Sequence, residues 1–167
     1  ALVGPVGCGK TTLARALGRM INIDEGTLFL DDNDVTDLKL KQLRSNIALV
    51  PQEGYLFTET LTENIRYGNP KASIEKVQES ANEARMTDDI KGFPDGFKTL
   101  VGERGITLSG GQRQRTALSR ALLVNSKIIV LDDALASVDN KTASAILQTI
   151  KSQYNKTVLM ISHQLSA

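Results

Sequence analysis

Apolar positions along the chain follow two different periods, which predict short buried strands and amphipathic helices. Residues 1–3 and 128–131 are continuous apolar runs, typical of parallel strands covered on both faces. Between residues 10 and 20, apolar side chains recur every three or four positions, as on one face of a helix. The alternation of the two patterns predicts an α/β fold with a mostly parallel sheet.

The same patterns predict the remaining elements. Further strands are expected at 26–30, 47–50 and 157–161, and further helices at 38–44, 109–124 and 140–154. The strand at 26–30 is closed by a run of turn-forming residues, Asp31 to Asp34. Helical patterns without a convincing strand follow residue 60, and residues 92–105 are rich in loop signals. We therefore expect an α/β core of residues 1–53 and 126–167, interrupted by a helical subdomain of residues 54–125.

Composition excludes several classes of protein. The 167 residues are 41% hydrophobic and 23% charged, with 20 basic against 19 acidic side chains. A net charge of +1 gives no electrostatic reason to expect nucleic acid as a partner. The single cysteine excludes an internal disulfide, and no apolar run is long enough to span a bilayer. Because few residues flank the first and last strands, we expect both ends to be cut from a longer polypeptide.

A glycine-rich segment between the first strand and the first helix predicts a phosphate-binding loop. Residues 4–11, GPVGCGKT, fit the pattern G-x-x-x-x-G-K-[ST]. Glycines let successive backbone N–H groups turn toward a phosphate at the positive end of the following helix. The lysine would reach the β- and γ-phosphates, and the threonine hydroxyl suits Mg²⁺. The predicted nucleotide-binding residues are Gly7, Cys8, Gly9, Lys10, Thr11 and Thr12.

Asp132 ends the apolar strand 128–131, which is the form of a Walker B motif. A buried strand delivers this carboxylate to the edge of the sheet where nucleotides bind in such folds. With the phosphate loop, it predicts a P-loop NTPase core with an Mg²⁺ shell held by Thr11 and Asp132.

A third motif narrows the family. Residues 108–112 spell LSGGQ at the start of a predicted helix, and here the chain resembles the ATP-binding cassette (ABC) family. Gln52 matches the Q-loop of that family, Asp139 lies in its D-loop, and His163 matches its switch histidine. The segments 56–65 and 101–105 resemble exporter domains. Three arginines of the LSGGQ helix need no role in binding nucleic acid and are interpreted as a solvated face: Arg113, Arg115 and Arg120.

The resemblance implies roles for these residues. Gln52 would contact Mg²⁺ and the attacking water, and His163 would contact the γ-phosphate, so both are expected in catalysis. ATP bound to an opposing domain would be contacted in trans by Ser109, Gly110, Gly111 and Gln112. The implied cofactors are ATP and Mg²⁺. The implied partners are a second nucleotide-binding domain and transmembrane domains of the same polypeptide, at the cytoplasmic face of a membrane.

One position departs from the family. Asp133 stands where the resemblance implies a catalytic Glu, and its carboxylate sits back by about 1.5 Å, one C–C bond. A displacement of about 1 Å can cost on the order of 10²-fold in rate. The chain therefore resembles the degenerate half of a heterodimeric exporter, with slow hydrolysis at its own site and an intact LSGGQ for its partner. Ala136 and Ser137 also stand where Ser-Ala is usual.

Three alternatives stay open. The first is a non-transporting module that clamps ATP without turnover. The second is a homodimeric exporter in which Asp133 works as the base. The third is a chromosome-maintenance or repair ATPase, which the resemblance disfavours because those proteins insert long coiled coils between the two nucleotide motifs. Only 98 residues separate Lys10 from Ser109 here, without sustained heptads.

Overall fold

A computed structural model describes residues 1–153 and 156–163. Within that part of the chain, four strands form a parallel sheet and two form a small hairpin. The strands are β1 Leu2–Val3, β2 Phe29–Leu30, β3 Asn33–Asp34, β4 Ile47–Val50, β5 Ile128–Asp132 and β6 Thr157–Ser162. The order in the large sheet is β1-β6-β5-β4, with every neighbouring pair parallel. The predicted α/β class with a parallel sheet is confirmed.

Seven helices are described over the same residues, together with two short 3₁₀ turns at Gly96–Lys98 and Glu103–Gly105. The helices are α1 Lys10–Leu17, α2 Leu40–Asn46, α3 Leu61–Arg66, α4 Ile74–Glu83, α5 Thr87–Gly92, α6 Gly110–Leu123 and α7 Asn140–Gln153. No helix of this described part is long and apolar enough to cross a bilayer.

The register of the sheet gathers the ends of its strands. Asp132 of β5 lies opposite Ile161 of β6, and Leu2 of β1 lies opposite that same isoleucine. On the other side of β5, Val50 pairs with Leu131. All four strands therefore end at one edge, which is where parallel sheets build ligand sites.

The largest hydrophobic core joins the sheet to the central helices. Leu118 of α6, Ile65 of α3 and Val77 of α4 are fully buried in it. Burying such a side chain contributes roughly 1.5–3 kcal/mol. The core reaches Ile129 on one face of β5 and Ile146 of α7. Helix α6 is thereby fixed between the helical region and the sheet edge. The division into subdomains at 53/54 and 125/126 stays a prediction.

Several predicted boundaries were wrong. Instead of a strand over residues 26–30, only Phe29–Leu30 is extended, and it turns back at Asp31 and Asp32. Both turn residues have positive φ, 47° and 64°, which suits a two-residue hairpin. Helix α1 ends at Leu17 rather than residue 20, because Arg19 adopts a φ of 46°.

Other boundaries moved by less. Helix α2 lies two residues later than predicted, at Leu40–Asn46. The strands at 47–50 and 157–161 and the helix that begins at Ser109 are confirmed, with β6 one residue longer. Helix α3 begins after Thr60, where the helical patterns were expected. Tyr154, the expected end of α7, lies outside the described residues.

Candidate functional site

The loop between β1 and α1 has the backbone conformation that its glycines predict. Gly7 and Gly9 have φ of 84° and 95°, a region that side chains other than glycine rarely adopt. The loop runs directly into α1, whose first residue is Lys10. The Lys10 ammonium donates to the carbonyl oxygens of Gly4 at 2.7 Å and Pro5 at 2.8 Å. A positive charge and a helix N-terminus are thus concentrated on one loop, an arrangement that suits a polyphosphate.

Three further residues predicted to bind nucleotide lie on the same loop and helix. Cys8 is exposed, with its Sγ 3.7 Å from the Lys10 Nζ. Thr12 is exposed on α1, whereas Thr11 points to the sheet, where its hydroxyl donates to Asp132 Oδ1 at 3.2 Å. Asp132 is only 3% exposed at the end of β5. The hydroxyl and the carboxylate are oxygen donors of the kind that Mg²⁺ prefers, and the structure brings them together.

Asp133 is turned toward His163, across the ends of β5 and β6. Its Oδ2 lies 2.7 Å from His163 Nδ1, and its Oδ1 accepts from the His163 backbone N–H at 3.2 Å. Both carboxylate oxygens therefore face one residue. Asp133 itself has a φ of 47°, and its backbone N–H donates to the carbonyl of Ile161 at 2.9 Å. This strained position holds the carboxylate at the sheet edge.

Gln52 lies two residues beyond the end of β4, the strand that pairs with β5 in the sheet. It is exposed, and its backbone carbonyl accepts from Gln114 Nε2 at 3.3 Å. It borders an open cavity of about 510 Å³ that reaches Gly110, Gln114 and Ser137. The structure therefore brings Gln52 beside the LSGGQ helix as well as to the sheet edge.

The LSGGQ segment begins α6 with a reciprocal cap. Ser109 Oγ accepts from the Gln112 N–H at 3.2 Å, and Gln112 Oε1 accepts from the Ser109 N–H at 2.9 Å. This capping box fixes the helix N-terminus. Gly110 and Gly111 lie against Ser137 of the loop before α7, and a Cβ on Gly111 would come within 2.8 Å of the Ser137 carbonyl oxygen. Glycine is required at residue 111 for this close approach.

Asp139 follows that loop and precedes α7. Its Oδ1 accepts from the Thr142 backbone N–H at 3.0 Å, the geometry of a helix N-cap. This hydrogen bond, with a second from the Thr142 side chain, holds the pKa of the Asp139 carboxyl below its ordinary value. Within the described residues, Asp139 therefore acts as a helix cap, and its assignment to the D-loop stays a prediction.

The interpretation of three arginines as a solvated face was wrong. Arg115 forms an ion pair with Asp89 at 2.7 Å, and Arg113 donates to the carbonyl of Leu108 at 2.7 Å. Arg120 donates to the carbonyls of Asn64 and Tyr55 at 2.8 and 2.9 Å, and burial lowers the pKa of its guanidinium. These side chains bond to neighbouring loops and helices because α6 is surrounded by them.

The sequence analysis missed two polar side chains that lie beside the LSGGQ segment, the signature segment of residues 108–112. Asp89 of α5 accepts a hydrogen bond from Gln112 Nε2 at 2.9 Å and another from Arg115. It therefore restrains the side chain of the glutamine in the LSGGQ segment. Gln114, the second glutamine of α6, is only 6% exposed and bonds to two loops. The available signal for Gln114 was a polar residue on the apolar face of α6. No local pattern marks Asp89, because its partners lie 23 and 26 residues away.

Comparison with known proteins agrees with this geometry. The family model described as ABC transporter matches residues 1–136. The iron-sulfur clusters transporter atm1, mitochondrial, of Aspergillus fumigatus is 42% identical, over 99% of this chain and 23% of its own length. ABC transporter B family member 24, mitochondrial, of Arabidopsis thaliana is also 42% identical, over 99% of this chain and 25% of its own length.

A solved structure matches as closely. It is a bacterial Atm1-family ABC exporter with ATP bound, which superposes with a TM-score of 0.94 at 39% identity. The match covers 99% of this chain and 29% of that one, and the chain spans about a quarter of the length of the curated relatives it matches. Since the family model covers most of the chain, this protein belongs to the ABC transporter family.

Proposed function

We propose that this chain is the nucleotide-binding domain of an ABC exporter, at the cytoplasmic face of a membrane. It would bind and hydrolyse ATP, and ATP-driven pairing with a second such domain would be coupled to export through transmembrane domains of the same polypeptide. The observation that carries the proposal is the convergence of the phosphate loop, Asp132, Asp133, Gln52 and His163 on one edge of the sheet.

At this edge, each group has a chemical task. Backbone N–H groups of residues 7–12 and the Lys10 ammonium would bind the phosphates of ATP. Thr11, Asp132 and Gln52 would hold Mg²⁺, which neutralises charge on the β- and γ-phosphates when bound. The oxygen donors of Thr11 and Asp132, 3.2 Å apart, fit such an ion. His163 would donate to the γ-phosphate, and Asp133 would polarise the attacking water.

We propose further that Asp133 is a weak base. It is one methylene shorter than Glu, and both of its oxygens are occupied by His163, at 2.7 and 3.2 Å. A general base must reach its target within about 2.6–3.2 Å or through one water. A retracted carboxylate that is held by its neighbour would not activate the attacking water efficiently. ATP would still bind at this chain's own site, but its turnover there would be slow.

The intact LSGGQ segment supports a dimer in which most ATP is hydrolysed at the site of the second nucleotide-binding domain. The capped N-terminus of the 14-residue helix α6 carries two glycines, and this is a good site for an anion from outside the chain. Ser109, Gly110, Gly111 and Gln112 would complete the ATP site of a second nucleotide-binding domain. A heterodimer is therefore favoured.

One observation keeps a second candidate in view. The Asp133–His163 contact is also the geometry in which a carboxylate orients a histidine for proton transfer. A homodimer in which this pair works as an acid–base dyad would turn over ATP without a second kind of subunit. A clamp that binds ATP without turnover is the opposite extreme.

The decisive experiment is steady-state ATPase turnover of the purified full-length protein, with Asp133→Glu as the test variant and Asp133→Asn as its control. A degenerate site predicts a nearly inactive parent, gain of at least tenfold in Asp133→Glu, and no gain in Asp133→Asn. Parent turnover of about 1–10 s⁻¹, lost in Asp133→Asn, would instead establish the working dyad. Tight ATP binding with no turnover in any of the three would favour the clamp.

A further inference from the structure

Helix α6 is packed directly against two loops that belong to different parts of the site. A Cβ on Gly54, two residues after Gln52, would lie 2.6 Å from the Ala117 Cβ on α6. A Cβ on Gly111 would lie 2.8 Å from the Ser137 carbonyl oxygen. Neither contact leaves space for a methyl group. The loop that contains Gln52 and the loop that contains Ser137 therefore both pack closely against the same helix, α6.

One side chain bonds to both loops. Gln114 Nε2 donates to the Gln52 carbonyl oxygen at 3.3 Å, and Gln114 Oε1 accepts from the Ser137 N–H at 2.8 Å. The orientation of the amide is determined by its partners, because a backbone carbonyl only accepts and a backbone N–H only donates. Since Gln114 is 6% exposed, water competes little for either bond.

We propose that Gln114 is a positioning residue that ties the Gln52 loop to the Ser137 loop. The inference rests on the proposed function for its meaning: Gln52 belongs to this chain's own ATP site, whereas Ser137 packs on the signature glycines offered to the partner. A displacement of Gln52 must then either move the Ser137 loop or break a buried hydrogen bond. The state of one ATP site is thereby linked to the surface that completes the other.

Two variants separate the two bonds. Gln114→Met is similar in size and removes both, leaving a backbone donor and a backbone acceptor unpaired. Gln114→Glu keeps an acceptor for the Ser137 N–H but places an oxygen against the Gln52 carbonyl. Ser119→Ala is the matched control, because Ser119 is fully buried on the same helix and donates only within it, to the Arg115 carbonyl at 2.8 Å.

The first readout is amide hydrogen exchange of the Ser137 loop in the full-length protein without nucleotide. Loss of one buried hydrogen bond corresponds to about a five- to tenfold faster exchange. We expect this acceleration at the Ser137 N–H in Gln114→Met, and parent-like exchange in both Gln114→Glu and Ser119→Ala. Parent-like exchange in Gln114→Met would overturn the bridge, whether or not the protein hydrolyses ATP.

The second readout is kcat against KM for ATP in the full-length protein with its partner subunit. Both Gln114 variants should lower kcat about tenfold with KM within twofold, and Ser119→Ala should change neither. A purely structural role predicts lower thermal stability with parent kcat in the protein that remains folded, which would overturn the proposal. Absence of ATP turnover in the parent refutes the proposed function instead, and the exchange comparison then decides the bridge alone.

Discussion

The sheet edge and the start of α6 are both candidate parts of ATP sites, yet they are built differently. At the edge, backbone register places the groups: four parallel strands end together, and Lys10, Asp132, Asp133 and His163 each lie within or directly after a strand or its loop. At α6, side chains from distant segments place the groups, as Asp89 does for Gln112. The arrangement at the sheet edge follows from the order and register of the strands, whereas the arrangement at α6 depends on individual side chains.

This difference predicts separate failures. A substitution at the edge should remove ATP from this chain's own site and leave the fold of α6 intact. A substitution around α6 should leave ATP bound here and disable the surface offered to a partner. In the full-length protein, substitutions at Lys10 and Gly111 test that separation and have the largest expected effects. Substitutions at Asp89 and Asp139 test side-chain contacts near α6 and α7 and have smaller ones.

Lys10→Met should abolish most ATP binding at this chain's own site. Charge-assisted hydrogen bonds contribute about 1.5–3 kcal/mol, so losing two of them should weaken ATP affinity about 10²-fold or more. Titration with a fluorescent ATP analogue measures the change, and Lys76→Met, at an exposed position of α4, is the control. Equal affinities for the two variants would show that the lysine does not contact the phosphates.

Gly111→Ala should disable the surface of α6 while sparing the edge. Its methyl group would meet the Ser137 carbonyl oxygen at 2.8 Å, and such overpacking costs about 1–3 kcal/mol. We expect ATPase turnover of the assembly with its partner to fall about 10- to 100-fold, with ATP affinity at this chain's own site unchanged. Gly92→Ala is the control, because no atom of the described residues beyond its chain neighbours and its own helix backbone lies within 4 Å of the added Cβ. Loss of ATP binding in Gly111→Ala would contradict the separation of the two regions.

Asp89→Asn should lower stability by a smaller amount. It weakens the 2.7 Å pair with Arg115, whose partners are 14% and 20% exposed, and leaves an oxygen for Gln112. The expected loss is about 1–2 kcal/mol in the free energy of unfolding, measured by urea denaturation. Asp88→Asn provides a neighbouring control, since the Asp88 side chain is 98% exposed and its Lys91 pair is 3.6 Å long. Similar losses in both variants would mean that the ion pair between Asp89 and Arg115 does not stabilise the fold.

The smallest expected effect concerns pH. The pKa of Asp139 is lowered in the folded protein by hydrogen bonds from Thr142, so the ionised carboxylate stabilises the fold above its unfolded pKa. That contribution is lost as pH falls through the folded pKa. Asp139→Asn should therefore flatten the acid side of a plot of unfolding free energy against pH below about 4. Thr142→Ala, which keeps the backbone donor, should flatten it less, and an unchanged acid limb in Asp139→Asn would refute the cap.

Much of the fold and of the edge site was predictable because the signals are local. Apolar runs at 47–50 and 128–131 became β4 and the buried part of β5, and the glycines of residues 4–9 adopted the loop that their conformational freedom allows. The errors arose where a local signal was overridden. Asp31 and Asp32 form a hairpin turn with positive φ, and Arg19 leaves helical geometry before Met20.

By itself, the sequence determined the α/β class, the order of the nucleotide motifs and the shortened carboxylate at Asp133, because each depends on residue type and spacing along a few positions. Only the tertiary structure decided that Asp133 faces His163, that Arg115 pairs with Asp89, and that Gln114 joins two loops. Those contacts connect residues 23 to 62 positions apart. Their geometry follows from how the sheet and helices pack, which no short stretch of sequence encodes.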